Sequence, residues 1–353
     1  MSAGRDPVTG KYIYATKTVE GGPRIANQAL AELVVSARSA KTSITLARLI
    51  DEFFLASSGL ALTTQRNYRE IARRHVLPTL GSKRIEKITG RDLDDLYRER
   101  AEAGVGVASI RYAHALISRV LSQAVKWGWL EKNVAKMASP PTASRSVVSA
   151  PTPEELGQIL TAALRRSPQL AAVLALCALT GVRRGEALAL RWSDYDPMMK
   201  VLTISKSVGY APGSGVFVKS TKTRSVRKIG VDEILESVVI SQIEALQKSV
   251  DCGFDLVDDP YLFFGDPTGS ISIHPDTPSK FFRKVCDSLG LPYHLHQLRH
   301  FTATQLIAAG VDVRTVSGRL GHADPSITLR VYSHVLEAKE REAAEIMGRL
   351  LGP

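Results

Sequence analysis

The sequence predicts a multidomain protein that is mostly α-helical, with a small antiparallel β-sheet in its last domain. At 353 residues the chain is long enough for two or three domains. Apolar residues recur at helical spacing, often behind a capping residue, over most of its length. Strand-like alternation is concentrated in residues 200–231, and the proline- and serine-rich residues 138–153 mark a linker.

The first piece, residues 1–42, is predicted to be a small unit of one strand and one helix. A turn at 6–10 precedes a strand at about 11–19, and a Gly-Gly turn then leads to a helix at about 24–39. A unit of this size has little hydrophobic core of its own, so we expect it to depend on a partner.

The middle piece, residues 43–138, is predicted to hold four or five helices, beginning near residues 44, 63, 89 and 109. Thr63 or Thr64 is expected to cap the second helix, which runs to about residue 76 and is stopped by Pro78 and Gly81.

Two further signals locate the later helices of this piece. Thr89 and Asp92 have the spacing of a capping box. The segment 109–127 has the pattern of a long amphipathic helix that ends at a glycine. We interpret Trp127 and Trp129 as core residues in preference to base-stacking platforms.

The third piece, residues 153–353, follows a linker at 139–152 and opens with a second capping box at Thr152 and Glu155. An apolar helix is predicted at 170–179, and a helix rich in acidic residues at Asp232. The remaining expectations are strands at 200–207, 215–220 and 224–231, helix ends at Gly310 and Gly321, and an amphipathic tail helix at 334–350.

Composition excludes several classes of protein. With 44% hydrophobic and 23% charged residues the chain is neither disordered nor fibrous. Its apolar runs are too short for a membrane span, and the N-terminus lacks a secretory signal. Three widely spaced cysteines form neither a disulfide framework nor a zinc pattern. We therefore expect a cytoplasmic protein.

Positive charge is unevenly distributed along the chain. Residues 1–152 hold 23 Lys and Arg against 13 Asp and Glu, whereas residues 153–353 hold 23 against 22. Within the second part, residues 183–228 carry ten basic and three acidic side chains. Such clustering is typical of a surface that binds a polyanion, and it favours nucleic acid over a solvated face without a partner.

Four local patterns in the third piece carry chemically useful side chains. They are TGVRRGE at 180–186, TKTR at 221–224, HQLRH at 296–300, and LGHADPSITLRVYSH at 320–334. Each pattern taken alone also fits an ordinary structural role, such as a surface arginine near a turn or a packed tyrosine. Their order along one domain is what distinguishes them.

In that order, the four patterns resemble the catalytic domain of the tyrosine recombinases, and in particular the integrases of temperate phages or integrative elements of actinobacteria. The resemblance covers about 200 residues. The positions that match the functional residues of the family are Arg183, Lys222, His296, Arg299, His322 and Tyr332.

The resemblance implies a role for each of these positions. Tyr332 is the nucleophile that forms a 3′-phosphotyrosine ester, and His296 is its candidate proton acceptor. Arg183 and Arg299 offset charge on the non-bridging phosphate oxygens. Lys222 is the candidate general acid for the departing 5′-oxygen.

The neighbouring residues receive lesser roles. His322 adds a hydrogen bond, and Glu186 matches the acidic residue that supports the first arginine. Arg184 matches no catalytic position, and His300 and His334 are expected either to be structural or to support a neighbouring catalytic residue. Lys219 lies three residues before Lys222 and is the alternative to it; Gly230 stands where many relatives have a proline.

The upstream pieces also resemble family domains. Residues 43–138 resemble the helical, SAM-like core-binding domain. Residues 1–42 resemble the small module that binds arm-type DNA sites, with its first strand expected to be missing before Met1.

The resemblance implies a site-specific recombinase that integrates and excises a mobile element through a Holliday junction and that uses no cofactor and no metal. The expected partners are double-stranded DNA at core and arm-type attachment sites, an excision factor and a host DNA-bending protein. On DNA the protein is expected to form a homotetramer. We expect it to be associated with the nucleoid and with no membrane. A Xer-like resolvase of chromosome or plasmid dimers is the alternative within the family. A catalytically silent DNA-binding regulator is the alternative from another class.

Overall fold

The computed structural model describes residues 2–5, 12–14, 22–23, 25, 44–57, 59–142, 149–211, 213, 215–220, 226–322 and 340–351. It divides into two compact units, Met1–Arg145 and Ser146–Pro353. Lys222, Tyr332 and most of the helix predicted at 24–39 lie outside the described residues. None of the described helices is both long and apolar enough to cross a membrane.

The first unit opens with a β-hairpin. Strands β1 (Ser2–Arg5) and β2 (Tyr12–Tyr14) pair antiparallel on either side of the predicted turn. Strand β2 falls inside the strand predicted at 11–19. Strand β1 was not predicted, because Ser-Ala-Gly-Arg has no apolar alternation and its strand geometry is set by pairing with β2.

Between residues 44 and 142, the described part of the first unit is mainly helical. Its helices are α1 (Leu46–Ala56), α2 (Leu62–Ile71), α3 (Leu77–Leu80), α4 (Gly90–Glu102) and α5 (Val107–Lys126), with 3₁₀ turns at Ile85–Lys87 and Val134–Met137. Their apolar faces meet in one core, in which Leu46, Leu93, Leu116 and Leu121 are fully buried.

The second predicted helix differs from expectation at both ends. Its N-cap is Ala61, which has no side-chain acceptor, so neither Thr63 nor Thr64 caps it. Pro78 does not stop it either, because a π-helical turn at Ala72–Val76 joins α2 to α3; the helical run ends at Gly81, the other predicted stop. A π-turn widens the helix by one residue, and the missing proline N–H falls in the first turn of α3, where it is least costly.

Two predictions from local chemistry in this unit are confirmed. The side chain of Thr89 accepts from the Asp92 backbone N–H, and Asp92 accepts from the Thr89 N–H at 2.8 Å, which closes the capping box of α4. Trp127 and Trp129 are half-buried against the core, and their rings lie 4.8 Å apart.

The second unit is built around α7 (Pro168–Thr180), which is apolar on almost every side. It contacts α6 (Pro153–Arg166), α9 (Glu233–Asp251), α10 (Asp276–Ser288) and α11 (His296–Ala308). The remaining described helices are α8 (Arg184–Ala187), α12 (Val313–Leu320) and α13 (Glu340–Leu351), with a 3₁₀ turn at Trp192–Asp194.

Helix capping in this unit follows the predictions. Thr152 and Glu155 form the capping box of α6. Asp232 caps α9 through the Leu235 N–H. Gly310 and Gly321 both have positive φ angles just after helices, as expected for C-terminal caps.

Strands of the second unit form two antiparallel sheets in place of the single one predicted. Strands β3 (Tyr195–Asp196), β4 (Val201–Ile204) and β7 (Arg227–Gly230) pair in the order β3-β4-β7, and β5 (Lys206–Ala211) pairs with β6 (Gly215–Ser220). The strand predicted at 200–207 is thus two strands, because the chain changes partner at residue 205.

Candidate active site

The first predicted arginine lies in a tight turn after the buried helix α7. This helix ends at Gly181, whose φ of +69° is left-handed and favours glycine. Two residues later, Arg183 precedes the short helix α8. Glu186 closes the turn: its Oε2 accepts from the Arg183 backbone N–H at 3.0 Å, and its Oε1 accepts from Arg183 Nη1 at 2.8 Å.

The second predicted arginine is buried on α11. Arg299 is 4% exposed, and its Nη1 donates to the carbonyl oxygen of Gly181 at 2.7 Å. His296 begins the same helix one turn earlier. Thr302 holds α11 against α7, because its hydroxyl donates to the Ala178 carbonyl at 2.7 Å. The end of α7 therefore supports both arginines.

His322 follows the end of α12. Gly321 terminates this helix with a φ of +70°, and its carbonyl oxygen accepts from Arg183 Nη2 at 3.2 Å. The His322 backbone N–H donates to the Ser317 carbonyl at 3.0 Å. Arg183 is thus held by the turn that carries His322, just as Arg299 is held by the turn that leads to Arg183.

Burial and positive charge keep the histidines neutral. Burial, together with the charges of Arg299 and Arg183, lowers the pKa of His296 below its usual range. The same causes lower the pKa of His322 to about 4. His300, whose ring lies 5.0 Å from that of His296, has a pKa lowered to about 4 by burial and then by His296 and Arg299. Near neutral pH these imidazoles are uncharged, so each ring has one nitrogen that can donate a hydrogen bond and one that can accept a hydrogen bond or a proton.

The structure thus brings together four of the six predicted site residues, namely Arg183, His296, Arg299 and His322. The other two, Lys222 and Tyr332, lie outside the described residues. Lys219, the alternative to Lys222, is the next-to-last residue of β6, with its Nζ 6.0 Å from the centre of the Phe217 ring. Arg184 is engaged elsewhere, since its Nη1 donates to Ser279 Oγ at 2.7 Å.

One charged residue of the site was missed by sequence reasoning. Arg227, on β7, has a side chain that is only 8% exposed, and its Nη2 donates to Glu186 Oε2 at 2.6 Å. Its Nε donates to the Arg319 carbonyl at 2.9 Å. The available signal was the strand alternation, which places Arg227 and Ile229 on the inner face of β7.

This arrangement is suited to a phosphate diester. Two guanidiniums with fixed positions can each offer paired N–H donors to phosphate oxygens, and a neutral imidazole beside them can move a proton. Across the described part of the chain, no group of three His, Cys, Asp or Glu is placed to hold a metal ion.

Two family models and several known proteins match this chain. The family model described as Phage integrase family matches residues 151–339, and the one described as Phage integrase, N-terminal SAM-like domain matches residues 45–99. The ICEBs1 integrase of Bacillus subtilis is 27% identical over 99% of this chain and 96% of its own length. The tyrosine recombinase XerC of Agrobacterium fabrum is 30% identical over 70% of this chain and 74% of its own.

Solved structures give the same fold. The Tn1549 transposon integrase, in complex with a circular intermediate DNA, superposes with a TM-score of 0.72 at 18% identity, over 87% of this chain and 100% of that one. A lambda integrase tetramer bound to a Holliday junction superposes with a TM-score of 0.63 at 20% identity, over 93% of this chain and 90% of that one.

Proposed function

Because this chain belongs to the phage integrase family of tyrosine recombinases, we propose that it is an integrase that inserts a mobile element into DNA at a specific site and excises it again. The observation that carries the proposal is the cluster of Arg183, Arg299, His296 and His322, in which both arginines are braced by backbone carbonyls. Preorganised cations of this kind stabilise charge as it develops on a transferring phosphate.

The proposed reaction exchanges one phosphate ester for another. The Tyr332 hydroxyl attacks the scissile phosphorus, its proton passes to His296, and the bond to the 5′-oxygen breaks. Lys222 gives that oxygen a proton, leaving a 3′-phosphotyrosine and a free 5′-hydroxyl. The 5′-hydroxyl of a second strand then attacks the phosphotyrosine and releases Tyr332, so no bond energy is lost and no ATP is required.

The arginines and His322 act on the phosphate itself. Arg183 and Arg299 neutralise charge on the non-bridging oxygens, where it increases in the transition state. His322, neutral at physiological pH, donates a hydrogen bond to one of them. The pKa of His296 is lowered by burial and by both arginines, which keeps this residue able to accept the tyrosine proton.

The domains would share the work of holding DNA. We assign arm-type DNA binding to residues 1–42, core-site binding to 43–138, a linker to 139–152 and catalysis to 153–353. On the second piece, Arg66, Arg69, Arg73 and Arg74 are exposed along one helical run, as expected for phosphate contacts. By analogy with the lambda integrase tetramer on a Holliday junction, four copies would exchange strands between two duplexes, with an excision factor and a host bending protein as further partners.

The N-terminal hairpin favours an integrase over a Xer-like resolvase. Strands β1 and β2 precede the segment that matches the SAM-like family model. The match to the ICEBs1 integrase covers 99% of the chain, whereas the match to XerC of Agrobacterium fabrum covers 70%.

Trapping of a covalent intermediate tests the proposal. The substrate is a duplex from the DNA that flanks the gene. It is nicked near the cleavage site, so that the short fragment with the newly formed 5′-hydroxyl diffuses away after cleavage. We expect wild-type protein to become attached to DNA on a denaturing gel, and Tyr332→Phe to bind the same DNA normally without attachment. Attachment by the Phe variant at the wild-type level would remove Tyr332 from the mechanism, and no attachment by wild-type protein would favour the silent regulator.

A further inference from the structure

Arg227 is a buried cation that none of the proposed chemical steps uses. It lies on β7, where its neighbours Val226 and Lys228 are exposed, and it points inward with 8% of its side chain exposed. Burying an unpaired charge is costly, so a buried arginine needs partners that justify it. Its two partners, Glu186 and the Arg319 carbonyl, each belong to an element that positions the candidate active site.

The first contact concerns the charge available to Arg183. Glu186 is 2% exposed and accepts hydrogen bonds from both Arg183 and Arg227. If Arg183 were the sole partner of this carboxylate, the two charges would cancel and leave little positive charge for a phosphate. With Arg227 present, one carboxylate lies between two guanidiniums, and the group keeps a net charge of about +1.

The electrostatics of Glu186 agree with this division. Burial acts to raise the pKa of its carboxyl group, but the hydrogen bond and charge of Arg227, followed by those of Arg183, outweigh burial and lower the pKa. Glu186 is therefore ionised, and Arg227 does more than Arg183 to stabilise its negative charge.

The second contact concerns the turn that carries His322. Arg227 Nε donates to the Arg319 carbonyl, and the guanidinium packs directly on Gly321: a Cβ atom at that glycine would lie 2.8 Å from Arg227 Nη1. The Gly321 carbonyl in turn accepts from Arg183 Nη2. Arg227 thus touches both groups that fix the Arg183 guanidinium, Glu186 and Gly321.

We propose that Arg227 is a positioning residue for DNA cleavage, an inference that rests on the proposed function. It compensates Glu186 so that Arg183 keeps its charge for the scissile phosphate, and it holds the 319–321 turn so that the Gly321 carbonyl fixes the direction of Arg183. Arg227 itself does not touch the DNA.

The test compares Arg227→Met and Arg227→Lys with a matched control, Arg191→Met. Arg191 is a half-buried arginine of the same unit that lies 4.1 Å from the centre of the Tyr261 ring and donates to the Asp259 carbonyl, away from the site. For each protein we would measure the rate of covalent attachment to the nicked substrate, the affinity for intact site DNA, and the thermal midpoint.

We expect Arg227→Met to slow attachment by about 10²-fold, the loss typical of a misplaced catalytic group, with DNA affinity nearly unchanged. Arg227→Lys should be intermediate, because one ammonium group can pair with Glu186 but cannot also reach the Arg319 carbonyl. Arg191→Met should keep the wild-type rate of attachment even if its thermal midpoint falls as far as that of Arg227→Met.

A neutral substrate separates positioning from folding. Replacing a non-bridging oxygen of the scissile phosphate by a methyl group removes the charge that Arg183 offsets, so the rate ratio of wild type to each Arg227 variant should shrink towards one. A ratio that persists on this methylphosphonate would overturn the proposal, as would a wild-type rate in Arg227→Lys or Arg227→Met. If Arg227→Met does not fold, the ratio for Arg227→Lys decides. Failure of wild-type protein to attach to either substrate would instead count against the proposed function.

Discussion

The substitution Gly181→Ala tests the turn that links the buried helix to both arginines. Gly181 has a φ of +69°, and a Cβ atom there would lie 2.5 Å from Leu320 Cδ2. The left-handed backbone costs an alanine about 1–2 kcal/mol. Leu320 is fully buried, so its side chain would have to shift within the core, and this overpacking adds about 1–3 kcal/mol. We therefore expect a loss of about 2–5 kcal/mol in the free energy of unfolding of this unit.

Gly290 supplies the matched control. Its φ is +70°, but a Cβ atom there would meet nothing within 4 Å. Gly290→Ala should therefore cost only the backbone term, about 1–2 kcal/mol. Thermal unfolding followed by circular dichroism compares the two, at about 2–4 °C per kcal/mol for a unit of this size. Hydrogen exchange of the α7 amides assigns the change to the correct unit.

Activity should separate the two variants further. The Gly181 carbonyl accepts from Arg299 Nη1, so movement of this turn should misplace Arg299 and slow covalent attachment to the nicked substrate. Gly290→Ala should attach at the wild-type rate. Equal losses of stability in the two variants would refute the predicted clash, and a wild-type attachment rate in Gly181→Ala would refute the role of this carbonyl.

Three further predictions concern charge, pH and domain organisation. Arg183→Ala and Arg299→Ala should each slow covalent attachment by about 10²–10³-fold and weaken DNA binding, measured by gel shift, far less. If DNA affinity fell as much as the attachment rate, the two arginines would be binding residues and not catalytic ones. Lowering the pH from about 6.5 towards 4 should lower the thermal midpoint, because the pKa of His300 and of His322 is about 4 in the folded protein and the unfolded chain therefore binds more protons in this range. His300→Gln should make the midpoint depend less steeply on pH, and an unchanged dependence would contradict the lowered pKa of His300. A protein that begins near Thr42 should retain core-site binding and attachment but fail to integrate on a full attachment site, because it loses a second DNA tether; full integration by this protein would favour a Xer-like enzyme.

Local chemistry explains which parts of the fold the sequence could predict. The capping boxes at Thr89 and Thr152 were predictable, because both partners lie within one helical turn. The continuation of the helix past Pro78 was not, because the π-turn that permits it has no marker in the sequence. The change of partner at residue 205 was missed for a similar reason: alternation alone does not reveal which strand a segment pairs with.

The same distinction applies to the candidate site. The patterns around Arg183, Arg299 and His322 were recognisable because they are short runs that follow one another along one domain in an order that resembles a known family. Arg227 was not, because its partner Glu186 lies 41 residues earlier and the strand around it reads as ordinary alternation. The roles of Lys222 and Tyr332 stay predictions that rest on the family resemblance.

The two carbonyl contacts suggest why the site residues are spread so widely along the chain. Gly181 holds Arg299, which lies 118 residues later, and Gly321 holds Arg183, which lies 138 residues earlier. Each guanidinium therefore reaches its working position only when α7, α11 and α12 have packed together. A buried arginine fixed in this way pays its ordering cost during folding, before DNA binds, so both cations are ready when negative charge develops on the phosphate. This is the arrangement expected of an enzyme whose catalysis depends on fixed side-chain charges.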